Sequence, residues 1–124
     1  MPILFTPVER KVKLDYIDAI RLQILIYCFI NRITVASGEL EALSLLGKEG
    51  AQDLNAFCDK VAELKIYSSP QSARNVLSKS VAKSLALKEG KGKKKIRLSP
   101  QLGLVTEGNL LLDYKFAALA SPQS

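Results

Sequence analysis

The stretch 68–98, SSPQSARNVLSKSVAKSLALKEGKGKKKIRL, changes its hydrophobic period once, near Leu85. Before Leu85, apolar and small side chains recur at the spacing of one helix face, and after it apolar residues alternate with basic ones, as in a β-strand. The chain must therefore pass from a helix almost directly into a β-hairpin. This transition predicts an α+β fold.

The helical part of this stretch is predicted to span about residues 70–84. Ser68 or Ser69 can accept the first free amide hydrogens, and Pro70 suits the first helical position, where its missing N–H costs nothing. One face is predicted to pack against the protein: Ala73, Val76, Leu77, Ser80, Val81 and Ser84. The other face carries polar or small side chains: Gln71, Asn75, Ser78, Lys79 and Ala82, with Arg74 and Lys83 at its edges.

The hairpin is predicted to span about residues 85–98, with Gly90 and Gly92 at the bend and Ser99-Pro100 ending the second strand. Its inner side is expected to hold Leu85, Leu87, Ile96 and Leu98. Its exposed side is expected to carry the basic residues Lys88, Lys91, Lys93, Lys94, Lys95 and Arg97.

Three further helices are predicted upstream of this stretch, over about 15–31, 37–47 and 51–66. Asp15 is a candidate cap for the first, and Gly47 is a natural stop for the second. The first helix has apolar residues on more than one side, so it is expected to be central to the core, with the third helix packed against it. The fold is thus predicted to be mainly helical.

The remaining segments are assigned as extensions of a single domain at 15–100. Pro2 and Pro7 favour an extended arm or short strand over 1–14. The C-terminal extension, 101–124, contains a turn at Gly108-Asn109 followed by an apolar run that suits either a strand or a short helix. Such apolar ends need a surface to bury them, either this domain or a neighbouring subunit.

The distribution of charge is more informative than its total of +6 over 124 residues. From Lys60 to Arg97 the chain holds eleven basic residues and only two acids, Glu63 and Glu89, a net +9, whereas the rest, with seven bases and ten acids, sums to −3. A basic segment of this kind favours a polyanionic partner.

Other features point to a protein of the cytoplasm rather than a secreted or membrane protein. Cys28 and Cys58 lie within apolar helical patterns and are predicted to be reduced core residues. The N-terminus lacks the order of segments that marks a signal peptide, and the apolar run 24–30 is too short to span a bilayer.

Enzymatic chemistry has little support in the sequence. The chain has no histidine, and it contains no nucleophile motif, phosphate loop or metal-binding cysteine pair. Asp15 and Asp18 lie one helical turn apart, but acids in a first turn ordinarily act as caps or dipole partners. We therefore expect a non-enzymatic protein without a cofactor or metal ion.

The order of three short helices, a polar-faced helix entered through a serine-proline turn, and a glycine-tipped basic hairpin resembles the winged helix-turn-helix family. The resemblance covers about Asp15 to Leu98, and its most specific part is 68–98, which is similar to small prokaryotic and phage winged-helix domains. It implies that the helix at 70–84 is the recognition helix and that the hairpin at 85–98 is the wing. The turn LKIYSSPQS departs from the family because it lacks the usual glycine.

The resemblance implies binding of double-stranded DNA, and the residue types suit it. Arginine, asparagine and glutamine can read base edges, while serine and lysine can contact phosphates. The candidate nucleic-acid-binding residues are Ser69, Gln71, Ser72, Arg74, Asn75, Ser78, Lys79, Lys83, Lys91, Lys93, Lys94, Lys95 and Arg97. A small regulator of transcription or replication is the simplest reading.

A second hypothesis comes from a different class of protein. A winged-helix fold can be recruited as a structural subunit of a large assembly, such as a phage virion, neck or ring, with the arms 1–14 and 101–124 linking neighbouring subunits. On this hypothesis the chain is a homo-oligomer located in the virion. Apart from both hypotheses, a basic hairpin can be only a solubilising edge, because lysines protect exposed strands from aggregation.

Overall fold

The computed structural model describes residues 15–105, which form four α-helices and a three-stranded antiparallel sheet. The elements, in chain order, are α1 (Tyr16–Ile30), α2 (Ser37–Glu49), β1 (Gln52–Asp53), α3 (Leu54–Glu63), α4 (Pro70–Ala82), β2 (Ala86–Glu89) and β3 (Lys95–Leu98). The prediction of a mainly helical α+β fold is confirmed. The predicted arm 1–14 and positions 106–124 of the C-terminal extension lie outside the described residues.

The helices pack in two pairs, α1 with α2 and α3 with α4. The prediction that the third helix lies chiefly against the first is therefore wrong. The apolar stripe of α3 is instead directed at its neighbour in the chain, because the short connection 64–69 folds α4 back onto it. The fully buried side chains of the core come from all four helices and from the sheet: Ile20, Ile24, Leu43, Leu46, Phe57, Cys58, Val61, Leu77, Leu85 and Ile96.

The first helix is not central to this core. Only Ile20, Ile24 and Cys28 of α1 are buried, whereas Phe29 is 84% and Ile30 70% exposed. The prediction that its additional apolar residues belong to the core is wrong, because Leu25, Phe29 and Ile30 lie on an outward face that the other described residues leave exposed. Asp15 stands at the N-cap position without accepting a side-chain capping bond.

Gly47 does not end the second helix, which continues to Glu49 and ends at Gly50 with φ of 81°. A β-carbon at Gly47 would lie 2.7 Å from Leu98 Cδ1 and 2.8 Å from Ile20 Cγ2. Gly47 is therefore a point of close approach between α2, α1 and the sheet. Glycine is required at position 47 because the helices and the sheet pack closely there, and not because the helix ends there.

Three helices end in the same hydrogen-bonded turn, each with a non-glycine residue in the left-handed conformation. These residues are Arg32, Lys65 and Ser84, with φ of 57°, 61° and 63°. After α3, for example, Lys65 N–H donates to Ala62 O and Ile66 N–H to Val61 O, the pattern of a Schellman motif. Lys65 thus supplies the backbone conformation for which this turn usually uses glycine.

The sheet has the strand order β1-β3-β2, so the short strand β1 pairs with the second strand of the hairpin. The register places Leu87 opposite Arg97 and Lys88 opposite Ile96. Leu87 therefore lies on the outer side and Lys88 on the core side, the reverse of the prediction. Leu85 belongs to the turn that follows Ser84, because its N–H donates to Ser80 O at the end of α4. The alternation of inner and outer side chains along the strand therefore begins at the buried Ala86.

Both cysteines are free and buried, as predicted. Burial raises the pKa of the Cys28 and Cys58 thiols. Within residues 15–105, no helix combines the length and hydrophobicity needed to cross a lipid bilayer.

Candidate nucleic-acid interface

The start of α4 is built by its serine-proline turn. Ser69 Oγ accepts a hydrogen bond from Ser72 N–H at 3.1 Å, and Pro70 occupies the first turn. Ser69 Oγ also lies 3.0 Å from Ser72 Oγ. The two hydroxyls therefore border the amino end of the helix, where free amides and the helix dipole favour an anion such as a phosphate.

Burial of one side fixes which side of α4 faces outward. Ala73, Leu77 and Ser80 are buried against the protein, while Val76 and Val81 are partly covered. Ser84, which was predicted to lie on the packing face, is exposed beyond the end of the helix. The polar residues are thereby held on the outer side by a rigid element.

Three candidate side chains on this outer side are joined by hydrogen bonds. Gln71 Nε2 donates to Asn75 Oδ1 at 3.0 Å, and Arg74 Nη1 donates to Gln71 Oε1 at 3.2 Å. Arg74 Nη2 also donates to Asn55 Oδ1 in the first turn of α3. The guanidinium group is thus oriented by two helices, which lowers the entropy lost when it binds a ligand.

Asn55 was not among the predicted site residues. Its contact with Arg74 joins residues 19 positions apart in the chain, and no local pattern indicates it. The remaining residues on the outer side, Ser78 and Lys79, are exposed.

Lys83 differs from the other candidate lysines because its ammonium group already has internal partners. Nζ lies 2.8 Å from Glu39 Oε1 and donates to Thr34 O at 2.7 Å. Ser80 Oγ donates to the other carboxylate oxygen of Glu39 at 2.6 Å. The serine on the packing face is therefore a buried hydrogen-bond donor, a role that the sequence did not reveal.

The hairpin presents the second group of candidates. Lys91, Lys93, Lys94 and Lys95 are all exposed, at or next to the turn between β2 and β3. The turn contains three residues with positive φ, Gly90 at 84°, Gly92 at 70° and Lys93 at 52°. Next to this turn the hairpin is held to the rest of the domain, because β1 pairs with Lys95 and Ile96 and Leu54 N–H, at the start of α3, donates to Lys94 O at 2.7 Å.

Arg97 lies on the outer side of β3 beside an acid. Its Nε is 3.4 Å from Glu89 Oε2, an ion pair without hydrogen-bond alignment. Both side chains are partly exposed, so this pair is open to exchange with an external anion.

The structure therefore brings together Gln71, Arg74 and Asn75 on one helix face and groups four lysines at the hairpin turn. Among residues 15–105, no cluster of three or more histidine, cysteine, aspartate or glutamate side chains is placed to hold a metal ion. Comparisons with protein-family models, with curated proteins and with solved structures each found no match to this chain.

Proposed function

We propose that this chain is a non-enzymatic winged-helix protein that binds double-stranded DNA, with α4 as the recognition helix and the β2–β3 hairpin as the wing. The element order from α2 to β3, with β1 beside β3, is compatible with a winged helix. A small regulator of transcription or replication is the simplest role for such a protein.

The observation that carries the proposal is the ordered polar face of α4. Arg74 is oriented by Gln71 and Asn55, on a face that the protein leaves exposed. In the major groove, a guanidinium fork can donate to O6 and N7 of guanine, and the amides of Gln71 and Asn75 can pair with adenine. These contacts would supply sequence preference.

The lysines of the hairpin supply affinity in this proposal. Each phosphate neutralised by Lys91, Lys93, Lys94 or Lys95 releases counterions, which makes binding dependent on salt. The amino end of α4, with Ser69 and Ser72, adds an uncharged phosphate contact. The Lys83 ammonium is paired with the Glu39 carboxylate, which largely cancels its charge, so we expect it to add little to the affinity for phosphates.

Titration of a labelled random-sequence duplex at about 50 and 200 mM salt tests the proposal, with an expected loss of affinity of at least about tenfold between the two. The triple variant Lys93→Ala, Lys94→Ala, Lys95→Ala should reduce the slope of log K against log salt by about 2–3. Lys94→Ala has a matched control in Lys48→Ala, which removes an exposed lysine of α2. Equal effects of these two single changes would contradict a role for the hairpin.

Sequence preference is tested separately on a pool of random duplexes selected by binding. Arg74→Lys keeps the charge and removes the planar fork, so it should weaken discrimination among sequences more than overall affinity. Unchanged sequence preference in this variant would contradict base reading by α4.

One observation favours a second candidate function, a structural subunit of a large assembly such as a phage virion, neck or ring. Phe29 and Ile30 are 84% and 70% exposed on the outer side of α1, and a folded protein rarely leaves such a surface without a partner. Light scattering distinguishes the two functions. A large ring-like oligomer that shows no salt-sensitive binding of DNA would favour the structural subunit.

A further inference from the structure

The outer side of α1 carries a continuous apolar surface, which we name the outer α1 face. It consists of Leu22, Leu25, Ile26, Phe29 and Ile30, which fall within an arc of about 140° at helical spacing. Leu25, Phe29 and Ile30 are 46%, 84% and 70% exposed, while Leu22 and Ile26 are partly covered. The rest of residues 15–105 therefore leaves the centre of this face open to a cover.

Charged side chains close one edge of the outer α1 face. Arg21 forms ion pairs with Asp18 of the same helix and with Glu41 of α2. At helical spacing, Asp18 and Arg21 lie on the side of the face that holds Leu25. An apolar segment that crossed this edge would remove paired charges from water, which is costly. The cover is therefore expected to enter from the other side.

The opposite edge is bordered by Val105, the last described residue of the chain. Gln23 Nε2 donates to Val105 O at 2.9 Å, and Val105 N–H donates to Gln23 Oε1 at 2.7 Å. At about 100° per residue, Gln23 lies about 60° around the helix from Ile26 of the outer α1 face. Two hydrogen bonds thus fix the backbone of Val105 next to this face.

The chain reaches this edge from the core side of α1. Leu98 of β3 and Ile20 of α1 meet at position 47 of α2, and Leu102 is buried. Gln23 lies about 60° around the helix from Ile20, on the side that leads to the outer α1 face. Val105 itself is 49% exposed. The path from 98 to 105 thus leads around α1 from the core towards this face.

The segment that follows, 106–124, has a composition suited to covering an apolar surface. Its charged residues are Glu107, Asp113 and Lys115. Leu112 and Phe116 are four positions apart, a spacing that places both on one side of a helix and also on one side of a strand. The large apolar residues of the segment are Leu110, Leu111, Leu112, Tyr114, Phe116 and Leu119.

The segment also has the reach that a cover requires. Phe29 lies about 9 Å along the helix axis from Gln23, and the five residues 106–110 can span up to about 17 Å. The arm 1–14 joins α1 at its far end, about 21 Å along the axis from Phe29. The part of that arm next to α1, ERKVKL at 9–14, is mostly charged. Position and composition both favour 106–124 over the arm.

We infer that the chain's own segment 106–124 covers the outer α1 face, with Leu112 and Phe116 directed at it. Tethering gives this segment an effective concentration on the order of millimolar, so a separate copy at about 1 µM would have to bind roughly a thousandfold more tightly to compete. The inference does not rest on DNA binding. It competes with the structural-subunit function, because that function assigns the same surface to neighbouring subunits.

NMR spectroscopy of the unchanged full chain tests the inference directly. We expect nuclear Overhauser effects between the Phe29 ring and the side chain of Leu112 or Phe116. A mixture of isotope-labelled and unlabelled chains shows whether such a contact lies within one molecule or between two. Absence of both contacts would overturn the inference, and so would contacts that form only between labelled and unlabelled chains.

The accessibility of position 30 gives a second, quantitative test. Ile30→Cys places a thiol on the outer α1 face, and its rate of alkylation follows the fraction of time for which the face is uncovered. Adding Leu112→Glu and Phe116→Glu should raise this rate by at least about tenfold, because a carboxylate without a partner is costly to bury. Equal rates with and without these two changes would overturn the inference.

Leu64→Cys is the matched control, because Leu64 is also exposed, at 54%, but lies at the end of α3. Its alkylation rate should be the same with and without Leu112→Glu and Phe116→Glu. The buried Cys28 and Cys58 should stay slow throughout, which shows that the domain remains folded.

Two further results would assign the cover to a different occupant and overturn the inference. One is a rise in the rate of Ile30→Cys on adding Ile3→Glu and Phe5→Glu but not on adding Leu112→Glu and Phe116→Glu, which would identify the arm 1–14. The other is a rate that falls as the protein concentration is raised from about 1 to about 100 µM, which would identify a second copy. A slow rate that is independent of concentration and sensitive only to positions 112 and 116 supports the inference.

Discussion

Lys83 Nζ lies 2.8 Å from Glu39 Oε1, so that an ion pair joins the end of α4 to the first turn of α2. Glu39 is only 3% exposed, and its second oxygen accepts a hydrogen bond from the buried Ser80 hydroxyl. Its carboxylate also lies 3.4 Å from Ala36 N–H at the start of α2. This group is therefore fully hydrogen-bonded in a place where an unpaired charge would be costly.

Lys83→Met should lower the free energy of unfolding by about 1–3 kcal/mol, because it leaves the buried Glu39 carboxylate without its cation. Adding Glu39→Gln to Lys83→Met should recover part of this loss, since the double variant contains no unpaired buried charge. Urea denaturation gives both values, provided that the m value is unchanged.

The exposed ion pair of Lys60 and Glu49 is the matched control. Lys60→Met and Glu49→Gln should each leave the free energy of unfolding nearly unchanged, because both partners can return to water. Additive effects of Lys83→Met and Glu39→Gln would show that the buried pair contributes no coupling of its own.

Alkaline pH should destabilise the protein through its buried thiols. Burial raises the pKa of the Cys28 and Cys58 thiols and of the Tyr67 hydroxyl in the folded state. In the unfolded chain, thiols lose their protons above about pH 8.5. The stability that the buried, protonated thiols contribute is thus fully present below that pH. It is lost as the pH rises towards the pKa values of the thiols in the folded state.

Under reducing conditions, the urea concentration at the unfolding midpoint should therefore decrease as the pH is raised from about 7 to about 9.5. The variant Cys28→Ala, Cys58→Ala should show a smaller fall over the same interval, whatever its stability at neutral pH. An equal fall in both proteins would assign the pH dependence to other groups.

The sequence predicted the features that local chemistry determines. Ser69 and Pro70 mark the start of α4 because a cap and a proline act on their own turn. The bounds of α1 and the position of the hairpin also follow from periodicity within each segment. Local hydrogen bonding and the hydrophobic pattern were sufficient for these elements.

The misassigned features depend on contacts between distant segments. The local pattern predicts a helix stop at Gly47, but this glycine is needed because Leu98 in the sheet and Ile20 in α1 approach it closely. The local pattern predicts that Ser80 is only a small packing residue, but its hydroxyl donates a hydrogen bond to Glu39, which lies 41 positions away in the chain. The sides of Leu87 and Lys88 were reversed because one residue in the turn shifts the whole alternation of a strand.

The left-handed residue after α3 offers a simple gain in stability. Lys65 has φ of 61°, a conformation that is unfavourable for a residue with a β-carbon and accessible to glycine. Lys65→Gly should raise the free energy of unfolding by about 0.5–1 kcal/mol. Lys48→Gly, inside α2, is the control and should lower it by about 1 kcal/mol. A loss of stability in Lys65→Gly would mean that the lysine side chain makes a larger contribution than the backbone conformation.

The close approach at Gly47 predicts the opposite result for a substitution that usually favours a helix. Gly47→Ala gains about 1 kcal/mol in helix propensity but forces a methyl group against the buried Ile20 and against Leu98, which costs about 1–3 kcal/mol. We expect a net loss of up to about 2 kcal/mol in urea denaturation, because Ile20 cannot move without displacing the core. Leu98→Ala removes one of the two clashing groups, so the double variant should lose less than the sum of the single changes. If the losses of stability in the two single variants simply add in the double variant, Gly47 and Leu98 are farther apart than the structure places them.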